Sequence, residues 1–300
     1  TVMTSQTITQ AVHAWKEAMI AFRRDLHAHP ELPWEEIRTT QKVAQALDEI
    51  GISYRLTQPT GIIAEIKGCQ PGKTVALRAD LDALPVQELT TTLSYKSLTD
   101  GKMHACGHDA HTSMLLNAAR ALQENRAGLR GNVRLIFQPA EEIAEGAREM
   151  VRQGAVEGVD NVFGMHIWTT TASGKISCNV GSSFASADLL KVRFKGRGGH
   201  GSMPEACIDA AVVASSFVMN LQAIVSRETL PPESAVVTIG RMEVGTRFNV
   251  IAENAGSDGT ERGPDVATRE RLKAAIECYV HHKAGSYGAT AEGEHTSRTV

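Results

Sequence analysis

The chain is defined first by what it lacks. Its 300 residues carry 31 Lys plus Arg against 34 Asp plus Glu, a net charge of −3. No excess of one sign argues for nucleic acid or an anionic membrane as a partner. No apolar run approaches the roughly 18 residues needed to span a bilayer. The start, Thr1 to Gln10, is polar and has neither the basic opening nor the apolar stretch of a secretory signal, which makes the cytoplasm the expected compartment. The five cysteines (Cys69, Cys106, Cys178, Cys207 and Cys278) are odd in number and widely spaced. That excludes a disulfide framework and fits a reducing environment. There is no internal repeat, coiled coil or low-complexity tract. The remainder, 42% hydrophobic and 22% charged, is ordinary for a soluble globular protein and sufficient for one large domain or two smaller ones.

The most informative stretch is Met103-His104-Ala105-Cys106-Gly107-His108-Asp109-Ala110-His111. It places a soft ligand, Cys106, and a borderline one, His108, one residue apart on a Gly-containing turn leading into a helix, as a transition-metal site requires. Two further candidate sets follow apolar runs that read as strands: Gln138-Pro139-Ala140-Glu141-Glu142 and Gly164-Met165-His166-Ile167-Trp168.

Periodicity predicts helices over about Ile8–His27, Trp34–Ile50 (closed by Gly51), Ala110–Glu124 and Ala144–Gln153. It predicts strands over Ile62–Ile66, Thr74–Arg78, Asn132–Phe137 and Val162–Met165. Alternating strands and helices imply an α/β unit with a largely parallel sheet. Asp80 and Asp82, Glu141 and Glu142, and His166 all fall just past predicted strands, on the edge where such sheets bind ligands. The pattern changes near Ser182. Strands at Leu189–Phe194, Ser234–Ile239 and Phe248–Ile251, with helices at Ile208–Arg227 and Arg269–Lys283, suggest a β-α-β-β-α-β sandwich as a second domain. The expected division is 1–185 and 186–300.

Six segments in order, DLHAHPEL (25–32), ALRADLDALP (76–85), MHACGHDAH (103–111), FQPAEE (137–142), GMHIW (164–168) and GGHGSMP (198–204), resemble the metal-dependent amidohydrolases of the M20 peptidase family. The branch resembled includes hippurate hydrolase, N-acyl-amino-acid amidohydrolases and auxin-conjugate (IAA-amino acid) hydrolases. The resemblance implies a zinc-exopeptidase-like α/β catalytic domain with an α+β, ferredoxin-like lid and dimerisation domain. It also implies two divalent metal ions, Mn or Zn, with Co or Ni possible. Cys106, His108, Glu142 and His166 match metal ligands, and Glu141 the general base that activates a metal-held water. Asp82 matches an aspartate that orients a neighbouring ligand, His200 a lid histidine that steadies the oxyanion, and Asn249 a lid asparagine near the substrate carboxylate. The implied substrate is a small N-acyl amino acid or small peptide, and the implied assembly a homodimer through the lid.

The chemistry has its own logic. Paired metals polarise a carbonyl and lower the pKa of bound water, while a carboxylate beside a ligating one is free to take the proton. A histidine outside the ligand set can donate to the oxyanion. The blander readings are a solvated helix start for Glu141 and Glu142, a core histidine for His166, and simple turns for His200 and Asn249. Asp82 either orients a ligand or holds its own loop. His104 and His111 read as neighbours of the ligands, and His27 and His29 as packing for a helix end.

Two departures from the family pattern stand out. Ala252 to Gly263 is poor strand material, and Glu292 to Val300 is polar with weak structural signal. No histidine after His166 lies in a motif matching the family's last metal ligand. The sequence therefore reads as lacking the family's C-terminal segment, with an unpaired sheet edge and exposed apolar surface as the expected result. Two other readings follow: a catalytically inactive, dimerising or binding homologue, and a dipeptidase or aminopeptidase of the same family.

Overall fold

A computed structural model describes residues 4–90, 92–178, 180, 186–230 and 234–297. It divides into two compact units, Thr1–Ser173 and Gly174–Val300; the boundary lies ahead of the expected one at 185/186.

In the first unit, the single amphipathic helix expected at the start is two, α1 (Ser5–Ala14) and α2 (Lys16–Ala28). Trp15 leaves helical geometry between them at φ −104° and ψ 12°, and its indole donates to Glu124. Helix α3 (Ile37–Ile50) begins later than Trp34 because Trp34 takes a positive φ of 68°. The Glu31 carboxylate accepts the free backbone N–H groups of Arg38 and Thr39 at the start of α3, at 2.9 and 2.7 Å. Gly51, at φ 76°, ends it in the left-handed conformation.

The sheet contains β1 (Tyr54–Leu56), β2 (Ile62–Lys67), β3 (Gln70–Asp80), β4 (Arg130–Gln138) and β5 (Asn161–Gly164), in the order β1-β2-β4-β3-β5. It is mixed rather than largely parallel. β3 runs parallel to both β4 and β5, whereas β2 is antiparallel to β1 and β4. The short connection from β1 to β2 permits only a hairpin-like return. Ile62, Ala64 and Ile66 bury against α3 and α4 (His108–Glu124), while Ile63, with Ala76 and Ile136, packs on the other face with Met150 of α5 (Gly146–Arg152). This two-residue alternation is why both faces of the sheet are covered at its centre. β5 forms one edge, and there Val162 and Phe163 are 52% and 57% exposed.

The second unit is built from β6 (Asp188–Lys195), β7 (Gly199–His200), α6 (Ala210–Arg227), β8 (Val236–Val244), β9 (Val250–Ile251), β10 (Asn254–Arg262), α7 (Val266–Ser286) and β11 (Thr290–Ser297). Its main sheet is antiparallel throughout, in the order β11-β6-β10-β8. With α6 and α7, this is the expected β-α-β-β-α-β order. β7 and β9 form a separate two-stranded ribbon. Two expectations are corrected. Ala252–Gly263 contains a nine-residue strand, β10, flanked on both sides, and the polar tail contributes β11. α6 is long and apolar enough to cross a membrane by length and composition alone. Its Val213, Phe217, Leu221 and Ile224 stripe is buried in the core of this unit, with Leu190, Val192 and Leu272, which accounts for that composition.

Candidate metal centre

The three parallel strands β4, β3 and β5 end together, and the sequence-predicted ligands cluster just past those ends. Gly107, at φ 89°, turns the chain between Cys106 and His108 and precedes α4. A Cβ there would stand 2.3 Å from Ile167 Cδ1, so both the turn and the close approach require glycine. His108 is fully buried. Its Nδ1 bonds Asp82 Oδ1 at 3.2 Å, while its Nε2 lies 3.7 Å from oxygens of Asp80, Glu141 and Glu142. Cys106 Sγ is 3.3 Å from His166 Nε2. Two overlapping sets result, Cys106–His108–His166 and His108–Glu141–Glu142, each with its donor atoms within 4.8 Å of one another.

A third cluster, Asp80–His108–His111, behaves differently. His111 Nδ1 bonds Asp80 Oδ1 at 2.6 Å, and its Nε2 accepts the Ile167 backbone N–H at 3.0 Å. Both ring nitrogens are engaged, so His111 braces the segment carrying His166. Asp82 is buried and uses both oxygens, one on His108 and one on the Glu142 backbone N–H at 2.8 Å. Behind the loop, Asp109 is held by His27 Nδ1 at 2.8 Å and Arg23 Nε at 2.7 Å.

The electrostatics describe a place for positive charge. Burial alone would depress the His108 pKa, but the Asp82 hydrogen bond, the Cys106 contact and the charges of Asp80 and Asp82 push it up to about 11. Burial raises the Glu142 carboxyl above its ordinary value; His108 opposes this, and Glu141 and Asp82 reinforce it. Burial also lowers the pKa of neighbouring His104 to about 4. Two atoms at the centre, His108 Nε2 and Glu142 Oε1, are buried without a hydrogen-bond partner among the described residues. Such atoms are costly to leave unsatisfied, and a cation would satisfy both. Thiol, imidazole and carboxylate donors together suit a divalent transition metal. The residues present fit such a group.

His200 and Asn249 lie in the second unit. His200 pairs with Val250 across the β7–β9 ribbon, and the Gly201 N–H donates to the Asn249 carbonyl at 3.0 Å. The Ser202 N–H donates to His200 Nδ1 at 3.2 Å. In the neutral ring this leaves the proton on Nε2.

Residues 76–296 match the family model described as Peptidase family M20/M25/M40. The chain belongs to this family. It is 43% identical over 282 residues to N-acetylcysteine deacetylase of Bacillus subtilis, covering 93% of this chain and 74% of that protein. It is 41% identical over 293 residues to N-acyl-L-amino acid amidohydrolase of Geobacillus stearothermophilus, covering 97% and 79%. Among solved structures, a dinuclear metal-binding M20 peptidase from Bacillus subtilis superposes with a TM-score of 0.82 at 39% identity, covering 96% of this chain and 75% of that one.

Sequence reasoning sets Asp80 on the ligand-binding edge without a role and gives Glu36 none. The signal for Asp80 is its place just past a predicted strand, beside Asp82. Glu36 carried no signal, because its partners lie 24 and 104 residues away.

Proposed function

We propose that this M20-family chain is a metal-dependent amidohydrolase that cleaves the amide bond of N-acyl amino acids, releasing a carboxylate and a free amino acid. The observation that carries the reading is the pair of overlapping ligand sets sharing His108, with His108 Nε2 and Glu142 Oε1 buried and unpartnered. Cys106, His108, Glu142 and His166 would hold two divalent ions, Zn or Mn, with Co or Ni as alternatives; the thiolate favours Zn. Bound there, the ions would supply Lewis acidity and make water a nucleophile near neutral pH.

The chain's own residues supply the rest. Glu141 has the more accessible side chain of the acidic pair, 38% against 17% exposed. It takes a proton from the attacking water as the new C–O bond forms, then delivers it to the amide nitrogen as the C–N bond breaks. Asp82 fixes the His108 ring and the Glu142 backbone. His200 Nε2–H stabilises the oxyanion, and Asn249 contacts the substrate carboxylate. The second unit serves as lid and homodimer contact, and the setting is cytoplasmic. The names of the relatives, a deacetylase and an acyl-amino-acid amidohydrolase, favour this substrate class over dipeptides.

The test is hydrolysis of hippurate and N-acetyl amino acids with Zn²⁺ or Mn²⁺ and with chelator. Metal-dependent turnover that drops by about 10²–10⁴-fold in Glu141→Gln, with metal uptake retained, is the expected result. A folded, metal-loaded chain inert toward every substrate of the panel would overturn the reading.

A further inference from the structure

The segment Glu31–Glu36 continues the first motif of the sequence, yet it contributes nothing to the ligand set. Its role emerges from the loop that carries Glu141 and Glu142. That loop is held in an unusual backbone shape: Ala140 and Ala144 both adopt positive φ, 51° and 56°, without being glycine. Such conformations persist only where the surroundings enforce them. Gly146 is forced close to the same loop, since a Cβ there would stand 1.6 Å from the Pro139 carbonyl oxygen.

Glu36 is a completely buried carboxylate with no ion pair among the described residues. Burial raises its pKa, opposed by the hydrogen bonds it accepts. An unpaired buried acid is expensive, and here both oxygens are engaged. Oε1 accepts the Ala140 backbone N–H at 2.8 Å, and Oε2 accepts the Thr60 hydroxyl at 2.7 Å. Two residues further on, Asp82 Oδ2 accepts the Glu142 N–H, also at 2.8 Å. Glu141 therefore stands between two backbone amides, each pinned by a different buried carboxylate. At the far end of the loop, the Trp34 indole donates to Glu145 at 3.1 Å, and Trp34 itself sits at φ 68°.

We infer that Glu36 is a positioning residue for the Glu141–Glu142 pair: it holds Ala140 in its left-handed turn and so aims both carboxylates. The inference rests on the amidohydrolase reading for its catalytic consequence, but not for its structural one. Glu36→Ala removes the acceptor, Glu36→Asp withdraws it by one methylene, and Glu36→Gln keeps an oxygen for Ala140. On the full chain, hydrogen–deuterium exchange is expected to quicken across 139–146 in Ala and Asp but not in Gln, with α4 and β4 unchanged. Apparent Zn²⁺ affinity should fall by about 10–100-fold in Ala and Asp. With turnover, kcat should fall by about 10²-fold while KM changes little, and Gln should restore most of it. A loop whose exchange is unaltered in a folded Asp or Ala variant would overturn the inference, whatever the activity. So would loss of thermal stability alone, with kcat and Zn²⁺ affinity at the parent level. A chain that turns over no substrate would count against the proposed function, and the exchange and metal-affinity results would still decide the role of Glu36.

Discussion

Asp82 shows how much a single side chain can decide. It is buried, and its two oxygens serve His108 Nδ1 and the Glu142 N–H. Asp82→Asn replaces one acceptor with an NH₂ group, which must then face either a ring N–H or a backbone N–H. The expected outcome is a fall in metal affinity of about 10–100-fold, read by chelator competition, with a smaller change in thermal midpoint. At this scale the sequence was informative where residues are neighbours in the chain. Cys106 and His108 are two apart, Glu141 and Glu142 adjacent, and the structure brings His166 to them. It was silent where a contact spans the chain, as with Glu36 and Ala140 or His111 and Ile167. Nothing in local composition marks a carboxylate whose purpose is to hold a distant backbone amide.

Among the elements, β10 is the one whose sequence argued against it. Asn254–Arg262 reads as turn-rich, with Gly256, Ser257, Asp258 and Gly259, yet it lies between β6 and β8. Strand preference is largely a matter of fit to neighbours. A Cβ at Gly259 would stand 2.3 Å from the Thr238 carbonyl oxygen, so the glycine suits the crowded spot beside the irregular register. By contrast, α6 was legible because its apolar stripe repeats with helical spacing over eighteen residues. The inner face of this sheet carries an unusual load. Glu261 and His295 face each other at 3.3 Å, with Glu261 Oε2 and His295 Nε2 buried and without a hydrogen-bond partner among the described residues. Replacing both members of such a pair by apolar groups of similar size is often neutral or stabilising. The double variant Glu261→Leu/His295→Phe should therefore gain about 1–4 kcal/mol in denaturant unfolding. A loss of that size would show that the pair contributes more than its unsatisfied atoms cost.

The molecule as a whole has a core in each unit. One is set around Leu190, Phe194 and Phe217, and the other around Leu47, Leu135 and Phe137. Its stability should depend on pH on the acid side in a traceable way. Burial would raise the Asp25 pKa, but hydrogen bonding and charge from Arg38, with Lys42 and His29, hold it below the ordinary value. A depressed carboxylate stabilises the fold above its unfolded pKa, and that contribution is lost as pH falls through the folded one. The thermal midpoint should therefore drop on acidification below about pH 4, and Asp25→Asn should flatten that limb. An unchanged acid limb in the variant would show that other carboxylates govern it.

The bare edge at β5 bears on how the protein behaves in a tube. Val162 and Phe163 are consecutive in a strand, so their side chains leave opposite faces of the sheet, and both are more than half exposed. Such a strand offers apolar surface above and below and, among the described residues, a side with no neighbouring strand. It is adhesive. Concentrating the protein is therefore expected to favour strand-to-strand association at this edge, a few residues from His166, which light scattering against concentration would read.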